Sequence, residues 1–157
     1  VVIVAVDPGP EQSAILSFDG ESVTDALILP NAELVGELAR SDAGYLAVEM
    51  IASYGMPVGA DVFETCVWIG RFLEAWGHDG SASRVYRKEV KLHLCGSLRA
   101  KDSNIRQALI DRFGPGKERA VGNKACPGPL YGIKSHLWAA LAVAVTRYDI
   151  AGLTERN

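Results

Sequence analysis

Six apolar residues, Val1-Val2-Ile3-Val4-Ala5-Val6, run without a break into Asp7-Pro8-Gly9. A strand that is apolar on both faces belongs in the middle of a sheet covered on both sides, and Pro-Gly ends it in a turn. A second apolar run, Tyr45-Leu46-Ala47-Val48, ends in Glu49. An unpaired carboxylate at the end of a buried strand is costly or shifts its pKa. Two such strand ends point to carboxylates that converge on a shared divalent cation. Mg²⁺ suits them: it is a hard ion held by one or two carboxylates, with water or substrate phosphate completing its shell.

Composition narrows the setting. The chain has 157 residues, 48% of them hydrophobic, which suits one globular domain spanning 1–157 with a substantial core. No apolar run approaches the roughly 20 residues of a membrane span. The opening apolar run lacks a basic flank and a small-residue cleavage site, so it reads as a strand and not a signal peptide. Cys66, Cys95 and Cys126 are odd in number and widely spaced, without Cys-x-x-Cys. That favours a reducing, cytoplasmic location and argues against a structural zinc site.

The net charge of −3 conceals an asymmetry: residues 84–134 hold 12 of the 16 Lys and Arg against four acids, a local net of +8, while the rest carries −11. A basic segment on an acidic body matches the footprint of a polyanion partner such as a phosphate backbone, and also fits a solvated basic helix and loop. Arg99, Lys101, Lys117, Lys124 and Lys134 lie within it.

Residues 12–18 alternate and end at Asp19-Gly20, a hairpin signal, with 23–29 as the returning strand. Asn31 is placed to cap a helix over 31–40, with Leu34, Val35, Leu38 and Ala39 on its apolar face. After the Glu49 strand and a loop at Tyr54-Gly55-Met56-Pro57, an amphipathic helix is predicted over 61–76, stopped by Gly77. A short strand over 84–88, a helical turn over 91–95 and a helix over 100–113 follow. Residues 114–132, rich in Gly, Pro, Lys and Arg, read as a mobile loop, and 134–148 as an Ala-rich final helix. Three strands with hairpin signals, then alternating helix and strand, imply an α/β fold: a mixed five-stranded sheet with helices on both faces.

If the fourth strand lies beside the first, Asp7 and Glu49 reach the same end of adjacent central strands. Two-metal phosphoryl-transfer sites need ions ~4 Å apart, bridged by one carboxylate. Asp7 suits the bridge, Glu49 one ion, and His136, at the start of the last helix, a third ligand. Each residue has a plainer use: Asp7 as a turn cap, Glu49 in a buried pair with an Arg, His136 packed beside Trp138. His78 and His93 have no spacing signal. Gly116-Lys117 resembles the end of a phosphate-binding loop, but Glu118 replaces the Ser/Thr and a helix precedes it.

The chain resembles the RuvC family of Holliday-junction resolvases, in the RNase H-like superfamily, and is similar to its short phage-type members. Val4-Ala5-Val6-Asp7-Pro8-Gly9 matches the family's opening strand, with Ser13-Ala14 in the second; Leu46-Ala47-Val48-Glu49 matches the second acidic strand, and residues 140–146 the small-residue final helix. The resemblance implies an RNase H-like fold and a Mg²⁺- or Mn²⁺-dependent endonuclease. It would act as a homodimer on four-way or other branched DNA, in a host's cytoplasm if phage-encoded, with no nucleotide cofactor. It places Asp7 and Glu49 on the first two metal carboxylates, His136 on a late ligand position, and Lys101 near a basic residue at the scissile phosphate. Tyr54 and Met56 fall in the region of a wedge at the junction centre. One departure stands out: Ala139 occupies a position where the family usually carries Asp, leaving a second metal site weakened, completed by Asp102 or water, or lost. A catalytically silent module that binds branched DNA is the alternative. An actin- or sugar-kinase-like half domain would need a second, similar domain.

Overall fold

The structure, a computed structural model, describes residues 1–77 and 81–152; His78 lies outside them. Its elements run β1 (Ile3–Asp7), β2 (Gln12–Phe18), β3 (Val23–Pro30), α1 (Asn31–Arg40), β4 (Tyr45–Met50), α2 (Ala60–Trp76), β5 (Ala82–Tyr86), α3 (Arg87–Cys95), α4 (Asp102–Phe113), α5 (Lys117–Ala120) and α6 (Leu137–Ile150). The five strands form one mixed sheet in the order β3-β2-β1-β4-β5. β1 pairs antiparallel with β2 and parallel with β4; β3 and β5 form the edges. The hairpin expected at Asp19-Gly20 is present, its Asp19 carboxylate accepting the N–H groups of Glu21 and Ser22 at 2.8 Å each.

The alternation of β1 divides the core in two. Ile3 and Ala5 face α6, α3 and α4, together with Ala14, Leu16, Phe18 and Ala47. Val4 and Val6 face α1 and α2, with Leu46, Val48, Ile69 and Phe72. Residues Ala140 to Val145 of α6 are all fully buried. A helix apolar all round must lie inside the molecule. Its alanines meet Ala5, Ala14 and Ala47 on the sheet, so α6 sits close over the central strands. Side chains alternate along a strand, so Asp7 shares the face of Ala5, and Glu49 that of Ala47. The β1–β4 register pairs Ala5 with Ala47 and Val6 with Val48. One step further sets Asp7 beside Glu49, both on the α6 face.

Several expectations need correction. The strand predicted over 84–88 ends at Tyr86, and α3 begins at Arg87 because the Glu89 carboxylate accepts the Tyr86 N–H at 2.7 Å, capping the new helix. Asn31 does not cap α1; Pro30 occupies that position and the buried Asn31 side chain points elsewhere. Ala39 is exposed, so the inward face of α1 is built on Leu34 and Leu38. Trp76, the last residue of α2, is buried in the core and its indole N–H donates to Ser81 Oγ at 2.8 Å. Residues 114–132 are more ordered than a mobile loop: they include α5, a bridge between Gly122 and Pro127, and the buried Ala120 and Leu130. The last helix starts at Leu137, with His136 as its N-cap residue. All three cysteines are free, and Cys126 is exposed. Among the described residues, no helix is long and apolar enough to cross a membrane.

Candidate active site at the carboxyl ends of β1 and β4

The turn after Asp7 is held by a closed ring of hydrogen bonds. Gly9 N–H donates to Ser13 Oγ (3.1 Å), Ser13 Oγ–H to Asn31 Oδ1 (2.6 Å), and Asn31 Nδ2 back to the Gly9 carbonyl (2.8 Å). Ser13 and Asn31 are both buried, so the ring works without competition from water. Gly9 is required here, since a Cβ would lie 2.4 Å from the Gln12 carbonyl oxygen. Asn31→Leu takes from the buried Ser13 hydroxyl its acceptor and from the half-buried Gly9 carbonyl its side-chain donor, and is expected to cost about 2 kcal/mol. A shift of under ~0.5 kcal/mol in urea unfolding would show that the ring does not support the turn.

Asp7 and Glu49 are nearly covered, with side-chain exposures of 14% and 16%. Their carboxyls are close enough that each acts on the other's pKa. Burial raises the Asp7 pKa against the opposing pull of His136 and Arg87. Burial first, and then the Asp7 charge, push the Glu49 carboxyl up to about 7. Glu49 Oε2 is buried with no hydrogen-bond partner. Two like charges pressed together, one with an orphaned oxygen, form a site short of positive charge.

His136 Nδ1 lies 2.9 Å from Asp7 Oδ2, while the ring is otherwise largely open to solvent. Sequence reasoning missed Arg87. At the first turn of α3, its guanidinium pairs with Asp102 and lies 3.9 Å from Glu49 Oε1. The plainer reading of Glu49, a pair with an Arg, is therefore present alongside its contact with Asp7. Arg87 borders two cavities: one of about 200 Å³ shared with Asp7, Glu49 and Tyr54, and one of about 460 Å³ shared with Asp102, His136, Trp138 and Ala139. Tyr54 and Ser135, the positive-φ residues other than glycine among those described, stand on these two walls at φ 50° and 51°. Such backbone costs about 1 kcal/mol or more each and gathers at functional sites.

The structure thus brings together Asp7, Glu49 and His136, with Tyr54 at the rim. Asp102, expected among the ligands, is turned to solvent and engaged by Arg87. Lys101 is exposed and does not line the larger cavity. Arg99, Lys117, Lys124, Lys134 and Met56 are exposed. Among the described residues, no three His, Cys, Asp or Glu side chains gather closely enough to cage a metal ion. Two carboxylates with an orphaned oxygen do fit one hard divalent ion whose remaining positions go to water or phosphate.

A mixed sheet ordered 3-2-1-4-5, helices on both faces and acidic ends on the two central parallel strands define an RNase H-like α/β fold. Among solved structures, that of Thermus thermophilus RuvC matches with a TM-score of 0.69 at 20% identity, covering 97% of each chain. T. thermophilus RuvC in complex with a Holliday junction substrate matches with a TM-score of 0.68 at 19% identity, covering 98% of this chain and 96% of that one. At such identities the likeness establishes the fold. No family model and no curated protein sequence matches the chain.

Proposed function

We propose that the chain is a metal-dependent, structure-selective endonuclease that resolves four-way or related branched DNA junctions. The observation that supports this most is the buried pair Asp7 and Glu49, side by side on the α6 face of a RuvC-like sheet, with Glu49 Oε2 unpartnered. A bound Mg²⁺ or Mn²⁺ would polarise the phosphate and lower the pKa of a coordinated water. Asp7 and Glu49 would hold that ion. His136, hydrogen-bonded to Asp7, fixes the direction of that carboxylate and, exposed on its other side, can pass a proton to solvent. In the hydrolysis itself a water oxygen bonds to phosphorus, the bond to one strand end breaks, and the departing oxygen gains a proton. Among the described residues, no group of three His, Cys, Asp or Glu side chains supplies the further donors that a two-ion scheme needs. Single-turnover cutting of a synthetic four-way junction in Mg²⁺, against a duplex of the same sequence, tests the proposal; equal cutting of both, or of neither, overturns it.

The pH response offers an independent check. The Glu49 pKa rises from 4.5 to about 7 on folding, and Asp7 shifts in the same direction. Between those values the folded, metal-free chain binds more protons than the unfolded one, so stability falls as pH rises through that window. A loss on the order of 2 kcal/mol, or several degrees in Tm, is expected between about pH 5 and 8. Millimolar Mg²⁺ or Mn²⁺ should restore it above about 7, where the pair is ionised, and Glu49→Gln should flatten it. A metal-free Tm that climbs across this window would contradict the assigned environment.

Paired cuts in a symmetric junction need two sites related by a two-fold axis, so we propose a homodimer packed through α2. Phe63 and Val67, one turn apart on α2, are exposed to 64% and 57%. Sedimentation at micromolar protein should give a dimer that Phe63→Asp converts to monomer. A wild-type chain that stays monomeric, free and on junction DNA, would reduce the activity to nicking. A second reading, a silent branched-DNA-binding module, is favoured by Ala139 and by the lack of a three-donor cage among the described residues. Binding without any cutting in Mg²⁺ or Mn²⁺ would select it.

A further inference from the structure

We infer that Arg87 is the second cation of this site: the chain cuts with one divalent ion, held by Asp7 and Glu49, and grips the scissile phosphate from the other side with the Arg87 guanidinium. The inference rests on the endonuclease reading above. Three observations support it.

The first is position. Arg87 leaves β5 at the first turn of α3, and its side chain is 27% exposed. One guanidinium nitrogen lies 3.9 Å from Glu49 Oε1, so the charge already stands beside a carboxylate of the proposed ion site. The guanidinium forms a wall of the smaller cavity, which holds that pair, and of the larger cavity beside His136, so a phosphate reaching the pair through either would meet it.

The second is the donor set. Two ions ~4 Å apart need a bridging carboxylate and further donors on each side. Here the side facing α6 offers His136, already hydrogen-bonded to Asp7, and a methyl group at Ala139, both on the wall of the larger cavity. Asp102, the remaining acid nearby, is 87% exposed and bound to Arg87. A second divalent ion would find few ligands and a permanent positive charge beside it.

The third is chemistry. A guanidinium presents a planar fork of N–H donors matched to two phosphate oxygens, and stays charged at every working pH. Its present partner is an exposed carboxylate, and ion pairs open to solvent are weak enough to exchange. A phosphate can thus displace Asp102 without unfolding anything. Arg87 transfers no proton in hydrolysis; its N–H groups hold the non-bridging oxygens as negative charge grows there.

Counting Mn²⁺ by electron paramagnetic resonance, alongside single-turnover cutting of a four-way junction, tests the inference. Wild-type chain should bind one Mn²⁺, Asp7→Asn none, and the double variant Arg87→Ala/Ala139→Asp two. Arg87→Ala should still bind one Mn²⁺, which also reports a folded site, yet cut ~10²-fold more slowly at saturating Mg²⁺. Arg87→Lys, which keeps the charge and loses the fork, should fall between. Two Mn²⁺ on the wild-type chain, or Arg87→Ala cutting at the wild-type rate, overturns the role of Arg87 and leaves the endonuclease reading standing. A wild-type chain that binds Mn²⁺ but cuts no branched DNA overturns the endonuclease reading itself.

Discussion

Asp7→Asn is expected to abolish junction cutting, with a loss of at least ~10³-fold, equivalent to about 4 kcal/mol of transition-state stabilisation. The substitution keeps the shape of the side chain and an oxygen for His136, which lies 2.9 Å from Asp7 in the wild-type chain. What it removes is the charge that, with Glu49, would hold the cation. Junction affinity without metal should hold or improve, since one carboxylate no longer repels the phosphate. The same change should stabilise the metal-free fold, because the neighbouring charge on Asp7 is one cause of the raised Glu49 pKa. Cutting falls while stability rises, whereas a merely structural role for Asp7 would make both fall together. Wild-type cutting by Asp7→Asn in Mg²⁺ would rule out the proposed mechanism.

Those two carboxylates were legible in the sequence because the signal is local. An apolar run fixes a buried strand, and the acid that ends it is out of place unless something pairs with it. The parallel β1–β4 register then brings Asp7 and Glu49 together, as the order of elements implied. Arg87 was not legible, since its partners Glu49 and Asp102 are 38 and 15 residues away and only the tertiary fold gathers them. A local clue did exist: Glu89 stands three residues after Tyr86, the spacing of a capping box, which ends the strand there and starts a helix at Arg87. Asn31 misled for a related reason. Its type and place suit a helix cap, but the buried ring through Ser13 and Gly9 claims its side chain. Residues 114–132 misled through composition: Gly and Pro suggested mobility, while Ala120 and Leu130 anchor the segment in the core.

Binding to a four-way junction should weaken steeply with salt. Residues 84–134 carry a local net of +8; two of their cations are ion-paired within the fold, Arg87 with Asp102 and Arg112 with Asp149, and Arg106 and Lys88 lie over the rings of Trp138 and Tyr86. Arg99, Lys101, Lys117, Lys124 and Lys134 are exposed. Each phosphate neutralised on duplex arms releases counterions and adds about 0.9 to the slope of log affinity against log salt. Six such contacts would lose about 10³-fold in affinity between about 50 and 200 mM salt. Replacing Lys117, Lys124 and Lys134 by Gln should lower the slope by up to about 2.7 if all three touch phosphate, with little change in Tm because none is buried. The same triple variant should leave the Mn²⁺ count untouched, which separates DNA grip from ion binding. An affinity flat across this range of salt would mean that the basic segment is a solvated surface, and that any recognition of branched DNA comes from shape alone.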